Sequence, residues 1–224
     1  MNTVNQIGIY NMALATIGVS KTIQTLGDTS VQKIVCDTFW ESVRDQCLSD
    51  FPWGFAMRYN ALQLLSLTVP NWQYCYGYPA DCLATRQLYV AGASPAVNPN
   101  DSLVALWLDD DDDEQTPLYN ETPIPFAVIE NEVAGGLAIA TDTTLPILKY
   151  TARILSYSLW SPAFVNCAMY LMASKIVGPL ANNPKYATDL GQAYQLALLK
   201  AGANSMNEGQ SRGSLESEFI TTRG

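Results

Sequence analysis

Between Asp50 and Cys82 the hydrophobic period of the sequence changes from helical to strand-like. A helical pattern ends at Asp50-Phe51-Pro52-Trp53-Gly54-Phe55-Ala56. Pro52 cannot continue a helix, because it lacks the N–H and its ring clashes with the preceding turn. Further on, Trp72, Tyr74, Tyr76 and Tyr78 alternate, closed by Pro79-Ala80-Asp81-Cys82. Side chains at period two share one face of a strand. A chain that switches period in this way must combine helices with sheet. Phe51, Trp53 and Phe55 are too apolar for an ordinary loop. The reading makes Phe51, Pro52, Trp53, Phe55, Tyr78, Pro79 and Asp81 a structural joint between the helical and β parts.

The flanking segments read as helices. Val4, Ile7, Tyr10, Leu14 and Ile17 recur at helical spacing, with Asn2 or Thr3 as N-cap and Gly18 as stop. After a linker at 21–28, a second helix starts at Thr29 or Ser30 and runs to about Ser49. Its expected buried stripe is Val31, Ile34, Val35, Thr38, Phe39, Val43 and Cys47. Ser161-Pro162 is a cap-plus-proline start for a third helix. Its stripe is Val165, Ala168, Met169, Met172 and Ile176, and its expected end is Gly178-Pro179. Asn183-Pro184 repeats the signal for a fourth, with Leu190, Tyr194, Ala197 and Ala201 inward and Gly202 as stop. From Asn207 onward the chain is polar.

From Leu62 to Tyr150 the pattern predicts strands at 62–67, 72–78, 83–90, 103–108, 125–130, 137–141 and 146–150. Gly92–Asn100, with Pro95 and Pro99, reads as an irregular loop. The fold class is therefore α+β: a four-helix bundle (1–60 and 151–206), a β-rich domain inserted between the second and third helices (61–150), and an extended C-terminal tail (207–224).

Charge is concentrated. Asp109–Asp113 and Glu114 supply six of the nine net negative charges. So dense a run reads as a solvated tip; it lacks the spaced acidic residues and glycine of a calcium loop. The 12 Lys and Arg form no basic stripe, which disfavours tight DNA binding. Trp72, Tyr74, Tyr76 and Tyr78 would suit a stacking platform for nucleic acid or sugar, but only Arg58 and Arg86 flank them. A half-buried strand is the plainer reading.

The chain has no histidine, so Ser-His-Asp and Cys-His nucleophilic arrangements are excluded and a zinc site is disfavoured. No Gly-rich phosphate loop is present; Gly135-Gly136 is isolated. Paired carboxylates for glycoside hydrolysis would be Glu41 with Asp45, or Glu130 with Glu132; both pairs read more simply as solvated faces. The expectation is no enzyme, no catalytic residue, no cofactor and no metal. The five cysteines, Cys36, Cys47, Cys75, Cys82 and Cys167, read as reduced core thiols. No signal peptide is evident, and no apolar run approaches the roughly 18–20 residues that span a membrane.

The order Phe51-Pro52-Trp53-x-Phe55-Ala56, then Trp72-x-Tyr74-x-Tyr76-x-Tyr78-Pro79-x-Asp81-Cys82, resembles the head-to-tail adaptor family of short-tailed bacteriophages, also called tail tubular protein A. The resemblance covers residues 1–206 and is weakest between Gly92 and Pro123. It implies a structural virion protein of the tail or neck, made in the host bacterial cytoplasm. It also implies a self-assembled ring, dodecameric in known members, between the portal protein and the tail nozzle protein (tail tubular protein B). Genome DNA would pass through the ring without specific binding, and no membrane would be involved. The helical part would form the ring, the β part would face the tail, and the C-terminal extension would dock on the portal. Phe219, Ile220 and Arg223 are then the candidate portal-binding residues. Two other readings compete: a head-completion or connector protein of another phage type, and a tail-associated peptidoglycan hydrolase.

Overall fold

The computed structural model describes residues 5–90, 124–131 and 135–208. It is an α+β chain with four long helices and two three-stranded antiparallel sheets. The chain divides into two compact units, one from Met1–Ala56 with Ile154–Gly224 and one from Met57–Arg153.

In the first unit, α1 (Gln6–Thr16), α2 (Val31–Asp50), α3 (Pro162–Ala181) and α4 (Pro184–Glu208) start where a short polar side chain satisfies an orphan N–H. Asn5 caps α1 through the Gly8 N–H at 2.9 Å, so the helix starts after Asn5 rather than after Asn2 or Thr3. Ser30 caps α2, Ser161 caps α3 through Phe164 N, and Asn183 caps α4 through Tyr186 N. Gly18, at φ +80°, ends the first helical segment in the left-handed conformation that glycine adopts without strain. The linker at 21–28 is pinned: the Asn11 amide bonds both the N–H and the C=O of Ile23, a fully buried residue.

α3 is the central helix. It packs against α1, α2 and α4, so apolar residues on several of its sides are buried, among them Phe164, Cys167, Leu171, Ala173 and Val177. This corrects the single stripe read from the sequence. It also corrects the absence of any long apolar run, since α3 is long and apolar enough to cross a membrane by length and composition. Two helix ends differ as well. α3 continues through Gly178-Pro179 to Ala181, because Pro179 in the last turn costs only one hydrogen bond, and left-handed Asn182 closes the helix by donating to Gly178 O. α4 runs past Gly202 to Glu208.

On α2 the buried face is Cys36, Trp40, Val43 and Cys47, while Val31 and Ile34 are exposed. The expected stripe is rotated because Trp40 turns inward, edge-on to Tyr10 at 5.4 Å and tilted against Trp160 at 6.0 Å. Aromatic pairs at these separations add to the area each ring buries.

The second unit holds β1 (Met57–Ala61), β2 (Tyr74–Gly77), β3 (Cys82–Val90), β4 (Ala127–Glu130), β5 (Leu137–Thr141) and β6 (Pro146–Ala152). One sheet has the order β1-β6-β3, the other β2-β5-β4. β6 is the centre of the first, pairing Leu148 with Asn60 and with Leu88. All of its residues but Lys149 are buried. The β unit takes in 57–60 and 151–153, which the sequence reading assigns to the helical part, because β1 and the end of β6 pair there. The expected strand at 62–67 is not one. It runs irregularly beside β2, bonded through Leu65 N to Cys75 O and Gly77 N to Gln63 O, both 2.8 Å. The expected strand at 103–108, the loop at 92–100 and the acidic run at 109–114 lie outside the described residues.

Candidate functional site

The expected joint residues fall in two groups, one in each unit. In the helical unit, the chain leaving α2 folds back on itself. The Trp53 indole N–H donates to Cys47 O at 2.8 Å, and the ring is buried. Phe51 stands edge-on to Trp53 at 4.8 Å, and Trp53 and Phe55 both stand edge-on to Phe164 of α3, at 5.3 and 5.4 Å. Phe51 also lies under α4: a Cβ on Gly202 would sit 3.4 Å from its ring. Pro52 is exposed. These aromatics therefore seal the end of the helical unit.

In the β unit, Asp81 is a hub. Its carboxylate accepts from Arg58 at 2.6 Å and from the Tyr150 hydroxyl at 3.0 Å, and its carbonyl accepts from Arg153 N at 2.7 Å. Burial, with the Asp81 carboxylate beside it, pushes the Tyr150 hydroxyl up to about 12. Pro79 O accepts from Cys82 N at 3.0 Å, turning the chain into β3. Tyr78 is raised by burial and by its hydrogen bond with Cys82. Tyr76, at the middle of the aromatic row, is buried and donates to Thr143 O at 2.9 Å. A buried ring with its hydroxyl already engaged offers no stacking face, so Tyr76 interrupts the row, while Trp72, Tyr74 and Tyr78 are half-buried. Phe219, Ile220 and Arg223 lie outside the described residues.

Sequence reading missed a cleft in the helical unit. It has a volume of about 430 Å³ and opens between α1, α2 and the segment ahead of α3. Trp40, Tyr157 and Trp160 line it with Leu155, while Asp37 and Glu41 of α2 stand exposed on its lining. A directed chain of hydrogen bonds organises one side. It starts at the Tyr157 hydroxyl. Tyr157 donates to Gln6 Oε1 at 3.2 Å, Gln6 Nε2 donates to the Tyr10 hydroxyl, and Tyr10 donates to Asp37 Oδ1 at 2.9 Å. Buried Lys33 holds the other Asp37 oxygen. Burial drives the Tyr10 hydroxyl far above its ordinary range, offset in part by the Gln6 donor and reinforced by Asp37.

Two groups at the cleft are left over. Glu41 makes no hydrogen bond or ion pair among the described residues. The indole Nε1 of Trp160, a residue 8% exposed, is buried without a partner among the described residues. An unsatisfied buried donor forfeits about 1–3 kcal/mol, so it calls for an explanation. Arg44 also lines the cleft, but its Nε is tied to Asp45 at 2.8 Å. Of these residues the sequence singled out only Glu41, as half of a carboxylate pair. Its supposed partner Asp45 is engaged by Arg44 instead. Glu130 lies on β4, and Glu132 is outside the described residues. The aromatic cluster Tyr157-x-x-Trp160 just ahead of a helix cap was the available signal.

The cysteines are all free thiols. Burial pushes Cys36 up to about 12 and raises Cys47 well above its ordinary value, while Cys167, beside Cys47, is lowered. Held protonated in this way, Cys36 and Cys47 are poor nucleophiles. Among the described residues no three Cys, Asp or Glu side chains gather as a metal site. No known family model matches the sequence, and no curated protein matches it.

Proposed function

We propose that this chain is a structural virion protein, a head-to-tail adaptor of the tail tubular protein A type, joining the portal protein to the tail nozzle protein. In this reading the four helices form a bundle that builds a ring, a dodecamer. The β-rich domain is an insertion between α2 and α3 facing the nozzle. The genome passes through the lumen without being bound, and the protein works in the neck of the virion. The observation that carries the reading is the ordered pair of motifs, Phe51-Pro52-Trp53-x-Phe55-Ala56 and Trp72 to Cys82, set where the helical pattern gives way to strands.

Physical chemistry agrees with a conduit. A net charge of −9 without a basic stripe repels phosphate rather than holding it. Identical subunits close a ring through heterologous contacts when the rotation closes. The segment 207–224 is the portal anchor, with Phe219 and Ile220 as its apolar contact and Arg223 at the rim. Electron microscopy of the protein mixed with its cognate portal tests this. The expected image is a ring of added density on the portal vertex. Deleting 207–224 abolishes that density, and Phe219→Ala weakens docking more than Arg223→Ala. A portal that stays bare in the presence of excess full-length protein overturns the proposal.

A further inference from the structure

We propose that the turn at 142–145, with Leu145 at its tip, is the contact by which the β-rich domain docks into an apolar socket of the tail nozzle protein. The choice of partner rests on the adaptor reading; the residue and the chemistry of the socket go beyond it.

Leu145 is held in a conformation that serves exposure rather than folding. It is 77% exposed, the most exposed large apolar side chain among the described residues. Its backbone is left-handed, with φ +52°. In that conformation Cβ crowds the following carbonyl. The next residue is Pro146, whose ring pushes the residue before it toward extended backbone. A glycine would turn the same corner without strain. Leucine adds strain and gains no burial for it. Such strain persists only where the surroundings over-determine it, and here they do. Thr143 O accepts from the hydroxyl of buried Tyr76 at 2.9 Å, Asp142 Oδ1 accepts from Gln73 N at 2.9 Å, and Pro146 O accepts from Leu62 N at 3.0 Å. The Gln73 bond ties this turn to its neighbour at 69–73, where Asn71 is also left-handed, at φ +68°. Two of the three non-glycine residues with positive φ among the described residues thus lie at one end of the β2-β5-β4 sheet; the third, Asn182, closes α3.

The chemistry of the tip selects the kind of partner. Neither turn carries Lys or Arg, and Asp142 is the one charge in them. A phosphate backbone or an anionic lipid surface therefore finds nothing to hold. A fixed apolar knob, with exposed Pro70 and half-buried Trp72 in the neighbouring turn, fits a protein socket. The socket is aliphatic at its centre, where water-excluding contacts dominate docking, with a hydrogen-bond donor at its rim to meet Asp142. Because the backbone is already fixed, little ordering entropy remains to be lost on binding.

The test has two arms. In the chain alone, Leu145→Gly relieves the strain and is expected to raise the thermal unfolding midpoint by about 1–4 °C. In the assembly, cognate nozzle protein is titrated onto portal decorated with the full-length chain, and bound nozzle is read by sedimentation. Leu145→Asp, an exposed change that a left-handed position tolerates, is expected to weaken nozzle binding by about tenfold or more. Leu145→Gly weakens it as well, so one substitution moves stability and docking in opposite directions. Leu137→Asp, at the opposite end of β5 and 50% exposed, changes binding by less than about twofold. Nozzle binding unchanged by Leu145→Asp overturns this proposal and leaves the adaptor reading standing. Equal loss in both aspartate variants makes the contact a diffuse one and also overturns it, as does a midpoint that falls or stays fixed in Leu145→Gly. A decorated portal that never takes up nozzle, even with the unchanged chain, sinks the adaptor reading itself and this proposal with it.

Discussion

The helical unit and the β unit are stabilised at different distances along the chain. Each helix starts on its own local cap, Asn5, Ser30, Ser161 or Asn183, and then buries a face against α3. Each sheet instead depends on a late strand: β1 and β3 both pair with β6, and β2 pairs with β5. Among the described residues β1 and β3 have no strand partner until the chain has nearly passed through the whole unit, and before β5 arrives β2 has only its irregular bonds to the segment at 62–67. Local contacts form early and cheaply, whereas distant pairings must first offset loop closure. The comparison teaches that the helical ends of the chain carry their own folding instructions, while the middle is specified mainly by what returns to it.

The sharpest way to break this comparison is at the aromatic seal. Trp53→Ala removes a buried indole together with its bond to Cys47 O. The expected cost is about 3–5 kcal/mol, read as a lower urea midpoint in helical circular dichroism. If tyrosine signals from β2 and β6 shift by the same amount, the two units unfold as one and the contrast fails. Next in size is Leu148→Ala at the centre of β6. Fully buried and paired on both sides, it should cost about 2–5 kcal/mol. Here the β unit should melt first, with the helical signal holding. Equal loss of both signals would again count against separate stabilisation.

Alkaline pH should act more on the helices. The buried thiol Cys36 is raised to about 12 and Cys47 is raised too, from an ordinary value near 9. The folded state keeps these protons after the unfolded chain has lost them. Stability from this source is therefore complete below about pH 9 and declines as pH rises toward 12. By pH 10 the loss is on the order of 1 kcal/mol per thiol, measurable as a falling denaturation midpoint. Cys36→Ala should flatten that slope; an unchanged slope would remove the thiol from the explanation. Ser161→Ala comes after this. Losing the α3 cap should cost about 1 kcal/mol, with Ser161→Thr recovering most of it. The smallest effect is expected from Tyr150→Phe, about 0.5–1 kcal/mol, since Asp81 keeps Arg58. A larger loss would mean that the Asp81 hub organises the sheet more strongly than its bonds imply.

The same contrast governs what could be read in the sequence. Ser161-Pro162 and Asn183-Pro184 mark helix starts directly, because a cap acts within one turn. Helix ends were less legible: Pro179 is tolerated in a last turn, and Gly202 is passed because α4 leans on Phe51 there. Strand β1 was invisible, since Met57-Arg58-Tyr59-Asn60-Ala61 has no hydrophobic alternation and becomes a strand only through β6. On α2 the period was right and the phase was wrong, because Trp40 and its ring partners decide which face turns in. The cleft was hidden for a related reason. Its walls come from three segments, and no one segment carries the pattern.

The hydrogen-bond chain along that cleft makes position 6 selective. Counted from either end, every donor there points toward Asp37. A hydroxyl can serve in either direction, but the link at α1 must accept from Tyr157 with one atom and donate to Tyr10 with another. An amide does both; a carboxylate only accepts and an ammonium only donates. Gln6→Glu would set two acceptors against the Tyr10 oxygen, and Gln6→Lys would leave the Tyr157 hydroxyl facing a donor. One uncharged side chain thus acts as the grammatical joint of the wall. It lets a sentence begun at the Tyr157 hydroxyl end at a carboxylate.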